Sequence, residues 1–171
     1  MSKYIIITVI AISALSIGYT YLYNAQGASL EVGTDIGNLA PDFSLRNLEG
    51  ETFSLSSYRG KVVIIDFMST TCFWCMIEMP DLVNFYEEYK GKDIEILSLD
   101  ISPETEDQLR KFKEGYGAEW VFAVLANEVA LDYKVTGIPT KYMLDKKGFI
   151  VWKQLGASNF SVLSEEVDKL I

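Results

Sequence analysis

The run Val62–Met68, VVIIDFM, constrains this chain more than any other stretch. A continuous apolar run rich in β-branched residues, with no polar alternation, makes a strand that must be covered on both faces. Its surroundings supply the covers. Alternation at Ile94–Leu99 predicts a second strand, and Lys141–Leu144 and Phe149–Leu155 predict a last hairpin around Asp145-Lys146-Lys147-Gly148. Phe43–Leu45 and Thr52–Leu55 flank a turn signal, Asn47-Leu48-Glu49-Gly50, and predict a second hairpin. Helical spacing recurs at Phe73–Tyr89, with Pro80 as an expected kink, and around Glu128–Lys134. Ser102 followed by Pro103 reads as an N-cap opening a helix to Gly115, and Ser158 or Asn159 as the cap of a closing helix to Ile171. Strands alternating with helices predict an α/β domain, a mixed central sheet flanked by helices.

The N-terminus has a different character. Tyr4–Tyr23 carries no charge, and as a helix it measures about 30 Å, the thickness of a bilayer's hydrocarbon core. Lys3 precedes it and no Lys or Arg follows until Arg46, which points the N-terminus to the cytoplasm and the domain outward. Residues 1–23 are therefore expected to be a membrane anchor, or a signal peptide cleaved near Ala25-Gln26-Gly27. Small polar residues at 24–40 form a linker, and 41–171 the domain. Either version makes the domain extracytoplasmic, where disulfides persist. The net charge of −9, with every acid beyond the first thirty residues, excludes nucleic acid as a partner.

Immediately after the buried strand comes STTCFWCMIEMP, Ser69–Pro80, holding the chain's two cysteines, Cys72 and Cys75. At a strand-to-helix junction Cys72 meets the unpaired N–H groups and positive end of the helix, which stabilise a thiolate. Cys72 is then the attacking sulfur and Cys75, one turn inside, the resolving one. As a structural staple the pair closes too short a loop, worth about 2 kcal/mol. As a metal site it lacks partners, because the chain has no histidine and no third cysteine. No metal and no cofactor are called for. With no histidine, protons fall to carboxylates. Asp66 interrupts the buried strand, where a carboxylate is desolvated, or else reaches a solvated strand end or a backbone donor. Glu78 follows Cys75 by three residues on the same helix face, and is either a proton acceptor for the resolving thiol or a solvated first-turn glutamate. Phe73 and Trp74, between the sulfurs, either form an exposed docking patch or pack on a neighbouring loop.

Strand Val62–Met68, Cys72-Phe73-Trp74-Cys75, Glu78 and Gly137-Ile138-Pro139-Thr140 resemble the thioredoxin superfamily. The N-terminal segment, Ala40-Pro41-Asp42-Phe43-Ser44-Leu45 and Tyr58-Arg59-Gly60-Lys61 resemble its TlpA/ResA-like branch. The resemblance implies a thioredoxin-like fold and a membrane-anchored thiol-disulfide oxidoreductase with a redox-active Cys72–Cys75 disulfide. It implies disulfide-containing protein substrates, such as apocytochrome c in cytochrome c maturation, and a membrane thiol electron donor of the CcdA/DsbD type. It also implies that Pro139 is cis, faces the redox pair and lets the backbone at Ile138 contact substrate. Glu78 matches the active-site glutamate of ResA-like members. Asp66 matches the buried aspartate of thioredoxins, where TlpA-like members more often have asparagine. Trp74 stands where the family commonly has proline, and Thr71 where it has an aromatic.

Two other functions compete. A thiol peroxidase of the peroxiredoxin type shares the fold and the Ala-Pro-Asp-Phe stretch, but no proline lies between Asp42 and Cys72. A redox-inert, membrane-tethered binding module would use the aromatic pair alone.

Overall fold

The computed structural model describes residues 31–102 and 105–171. The segment at 4–23, and with it the anchor expectation, lies outside the described residues. Among the described residues no helix is long and apolar enough to cross a membrane.

Eleven regular elements follow in the order β1 (Ser44–Arg46), β2 (Thr52–Ser54), β3 (Val62–Met68), α1 (Phe73–Tyr89), β4 (Ile94–Asp100), α2 (Glu106–Tyr116), β5 (Val121–Ala123), α3 (Asn127–Asp132), β6 (Thr140–Leu144), β7 (Ile150–Leu155) and α4 (Phe160–Val167). A 3₁₀ turn, Leu55–Tyr58, leads from β2 towards β3. The main sheet runs β5-β4-β3-β6-β7, with β3–β4 and β4–β5 parallel and β3–β6 and β6–β7 antiparallel. β1 and β2 form the separate hairpin. The fold is thioredoxin-like, a mixed sheet between helices.

β3 is central and buried along its whole length, as its composition requires. Period-two alternation sends Val62, Ile64 and Met68 to one face, against Met79, Leu82 and Phe85 of α1 and Leu163 and Val167 of α4. Val63, Ile65 and Phe67 go to the other, against Leu55, Val129, Ala130 and Tyr133. Two cores thus clamp one strand, and its C-terminal end is held rigidly where the chain turns into Cys72.

α1 continues through Pro80. Proline removes the N–H that would bond the carbonyl of Met76, four residues back. The Tyr116 hydroxyl of α2 donates to that carbonyl at 3.4 Å, so the gap in the helical ladder is filled from a neighbouring helix.

Several expectations need correction. α2 is capped by Thr105, not Ser102: Thr105 and Gln108 form a reciprocal capping box, while Ser102 bonds Asp100 through both its N–H and its hydroxyl. α4 is capped by Asn159 and its helical span stops at Val167. β5 was not anticipated; three residues are too few for a periodic signal. Residues 32–40, read above as the end of the linker, lie against the β6–β7 hairpin through Gly37 N–H to Ile150 O, Ala40 N–H to Gly148 O and Ile150 N–H to Asn38 O.

Candidate functional site

Cys72 is the N-cap of α1, in an extended backbone conformation, and its sulfur accepts from the Cys75 N–H at 3.2 Å. A sulfur thus does what a Ser or Asp oxygen does at ordinary helix starts, so the helix end that would stabilise a thiolate is already directed at it. The two cysteines form a disulfide with Cα atoms 5.2 Å apart. Cys72 is half-buried and Cys75 buried, the order of access that an attacking and a resolving sulfur need.

The Ile138–Pro139 bond is cis. The Ile138 carbonyl oxygen lies 3.7 Å from Cys72 Sγ, and the Pro139 carbonyl accepts from Gly156 N–H at 2.8 Å, which holds the loop to the end of β7. Ile138 and Pro139 are therefore brought to the disulfide from a segment more than sixty residues away.

Phe73 and Trp74 are 61% and 59% exposed, and their rings meet edge to face with centroids 5.3 Å apart. Ile77, one turn on, is 54% exposed. Of the two alternatives for the aromatics, the structure shows the exposed one: an apolar patch beside the half-buried sulfur.

Beneath α1 the sheet face carries a polar row. Asp66 of β3 stands between Ser98 of β4 and Lys141 of β6 in register. Asp66 is 1% exposed, Glu78 2% and Lys141 not at all. The Lys141 ammonium donates to Glu78 Oε1 at 2.5 Å and lies 3.5 Å from Asp66 Oδ1. Glu78 Oε2 accepts from the Ser158 N–H at 2.9 Å. Neither solvated reading of these acids survives: Asp66 does not reach a solvated strand end, and Glu78 is not a surface glutamate.

Burial raises Glu78 from the ordinary 4.5 to about 7, and the nearby negative charge of Asp66 adds to the effect. The Lys141 ammonium and the Ser158 N–H oppose it without cancelling it. A carboxyl with that affinity takes up or gives away a proton near neutral pH.

Lys141, Ser98 and Trp120 were not singled out from the sequence. Trp120 Nε1 donates to Ser98 Oγ at 2.9 Å, and Ser98 Oγ donates to Asp66 Oδ2 at 3.0 Å. An indole N–H can only donate, so the Ser98 hydroxyl must spend its own proton on Asp66. A lysine in TKYML reads as a solvated position. Only the pairing of β6 beside β3, which sets Lys141 opposite Asp66, turns it inward.

A family model described as AhpC/TSA family matches residues 36–153. Thioredoxin-like protein YneN of Bacillus subtilis (strain 168) is 33% identical over 155 residues, covering 89% of this chain and 91% of that protein. Thiol-disulfide oxidoreductase ResA of Bacillus cereus (strain ATCC 10987 / NRS 248) is 31% identical over 165 residues, 96% of this chain and 94% of ResA. The crystal structure of the thioredoxin domain of a thiol-disulfide oxidoreductase from Bacteroides vulgatus superposes with a TM-score of 0.70 at 28% identity, over 78% of this chain and 97% of that one. With its fold, its helix-capping Cys72 and its Cys72–Cys75 disulfide, the chain belongs to the AhpC/TSA family, and within it to the thioredoxin-like thiol-disulfide oxidoreductases of the ResA type.

Proposed function

We propose that the chain reduces disulfides in protein substrates outside the cytoplasm, held at the membrane by residues 4–23. The observation that carries this reading is the buried Glu78, three residues from Cys75 and titrating near neutrality. In the reduced enzyme the Cys72 thiolate attacks one sulfur of a substrate disulfide. The substrate S–S bond breaks, a Cys72–substrate mixed disulfide forms, and the first substrate sulfur leaves as a thiolate that takes a proton from water. Glu78 then accepts the Cys75 proton. The Cys75 thiolate attacks Cys72 Sγ, the Cys72–Cys75 bond forms, and the second substrate sulfur leaves with the electron pair. Two electrons have passed from the enzyme dithiol to the substrate. Asp66 acts on this step through Lys141 and Glu78.

Phe73 and Trp74 supply an apolar contact for the polypeptide flanking the target disulfide, and the backbone at Ile138, next to Pro139, lies within 3.7 Å of Cys72 Sγ for a further contact. Apocytochrome c fits as a substrate of this class, and a membrane thiol carrier of the CcdA/DsbD type as the source of electrons. A Cys75→Ser variant tests the reading. In native membranes it accumulates Cys72-linked mixed disulfides that dithiothreitol releases. No trapped species, together with no loss of partner binding in a Cys72→Ala, Cys75→Ala variant, would leave the redox-inert binding module standing instead.

A further inference from the structure

The ion-pair geometry at Lys141 is lopsided in a way that has a chemical use. Glu78 has both oxygens engaged, Oε1 by the Lys141 ammonium and Oε2 by the Ser158 N–H. Asp66 has only one: Ser98 holds Oδ2, and among the described residues no hydrogen-bond donor reaches Oδ1. A buried carboxylate oxygen without a donor is costly, and native interiors contain few. The cation nearest it is the same ammonium, 3.5 Å away and engaged with Glu78.

The charges around this point can be counted. α1 contributes Glu78, β3 Asp66 and β6 Lys141. β4 contributes the neutral Ser98, β7 the neutral Gln154 opposite Lys141, and the segment before α4 the Ser158 N–H. With both acids ionised the cluster carries one uncompensated negative charge in a buried site. One proton on Glu78 neutralises it, and leaves Asp66 as the anion in need of the cation.

We infer that Lys141 is a mobile counter-ion and a positioning residue for the thiol chemistry: as Glu78 takes the Cys75 proton, the Lys141 ammonium transfers its pairing from Glu78 Oε1 to Asp66 Oδ1, and it returns when the proton leaves. This rests on the reading of Glu78 as proton acceptor given above. The vacant Oδ1 is the landing place, and the Trp120–Ser98 chain keeps it vacant by committing the Ser98 proton to Oδ2. Proton uptake then removes the uncompensated charge, and the anion that remains, Asp66, gains the cation. Asp66 and Glu78 have distinct roles: Glu78 holds the proton, and Asp66 receives the cation.

The test is the titration of the Glu78 carboxyl in the full-length protein, followed by ¹³C NMR with glutamate labelling and assigned with Glu78→Gln. It is read in the oxidised form, where no thiol titrates and no substrate is needed. Lys141→Met removes the cation and should raise the Glu78 midpoint by about one pH unit or more. At pH 7 the resolving step, measured as decay of a mixed disulfide with a model peptide, should slow about fivefold or more and recover at higher pH. Lys141→Arg should restore both. Asp66→Asn removes the landing place and the neighbouring negative charge, and should move the midpoint the other way, below that of the wild type. A lysine electrostatically uncoupled from Glu78 would change stability and leave these midpoints in place. An unchanged midpoint in folded Lys141→Met overturns the inference; should that variant not fold, an unchanged midpoint in Asp66→Asn does so. If Cys75→Ser traps nothing while these midpoints shift, the reading of the reaction fails and the counter-ion coupling stands.

Discussion

Replacing Glu78 by glutamine should remove a pH dependence of stability that runs opposite to that of carboxylates whose pKa is lowered by ion pairs or hydrogen bonds. The side chain keeps its size and can still accept from the Ser158 N–H, but it carries no charge. In the native protein Glu78 titrates at about 7, against 4.5 for an ordinary glutamate. That difference corresponds to about 3 kcal/mol, and Glu78 is so fully buried that solvent screening removes little of it. Between pH 4.5 and 7 the native state holds a proton that the unfolded chain has released, so stability falls as pH rises across this window. Below it both states are protonated and above it both are ionised, and the contribution is flat. The wild type should therefore gain about 3 kcal/mol more than Glu78→Gln on going from pH 8 to pH 4.5. Guanidinium unfolding of both oxidised proteins, followed through tryptophan fluorescence at several pH values, measures this directly. Contributions from carboxylates outside the Asp66–Lys141–Glu78 cluster cancel in the difference. Parallel profiles would refute the placement of Glu78 as a desolvated acid, and a wild type that loses stability relative to the variant on acidification would reverse its sign.

Two further outcomes follow from the site and its frame. A Phe73→Ser, Trp74→Ser double variant should keep the wild-type unfolding midpoint, since both rings are largely exposed, and should react normally with a small aromatic disulfide. Its kcat/KM for a protein disulfide should fall tenfold or more, because each ring buried against a partner contributes about 1.5–3 kcal/mol; equal activity on both substrates would remove the patch from substrate binding. Thr105→Ala, which breaks the capping box of α2, should cost about 1 kcal/mol in denaturant unfolding with little change in thiol reactivity, and an unmoved midpoint would show that the box contributes nothing.

How much of this was legible in the sequence depended on whether a residue's environment is set by its neighbours in the chain. β3 was legible because seven consecutive buried residues leave no alternative. The Cys72–Cys75 site followed, since a strand end meeting a helix start is local. β5 was not, being three residues long and defined by its pairing with β4. The cap of α2 was misplaced because Ser102 and Thr105 have similar local credentials, and the choice was made by the buried Asp100, which claims Ser102.

Lys141 shows the limit most clearly, and also a way past it. Nothing next to it in TKYML marks it as buried, but Asp66 within VVIIDFM carries the information indirectly. An acid in a doubly covered strand needs a cation or a donor from elsewhere in the fold. A lysine within an otherwise apolar strand, two residues beyond the Ile138-Pro139 step that belongs beside the cysteines, is the natural supplier. The same reasoning accounts for the chemistry. Two acids are buried at this site with one cation between them. A proton meets the deficit, and the acid that carries it is Glu78, which lies on the same helix as Cys75.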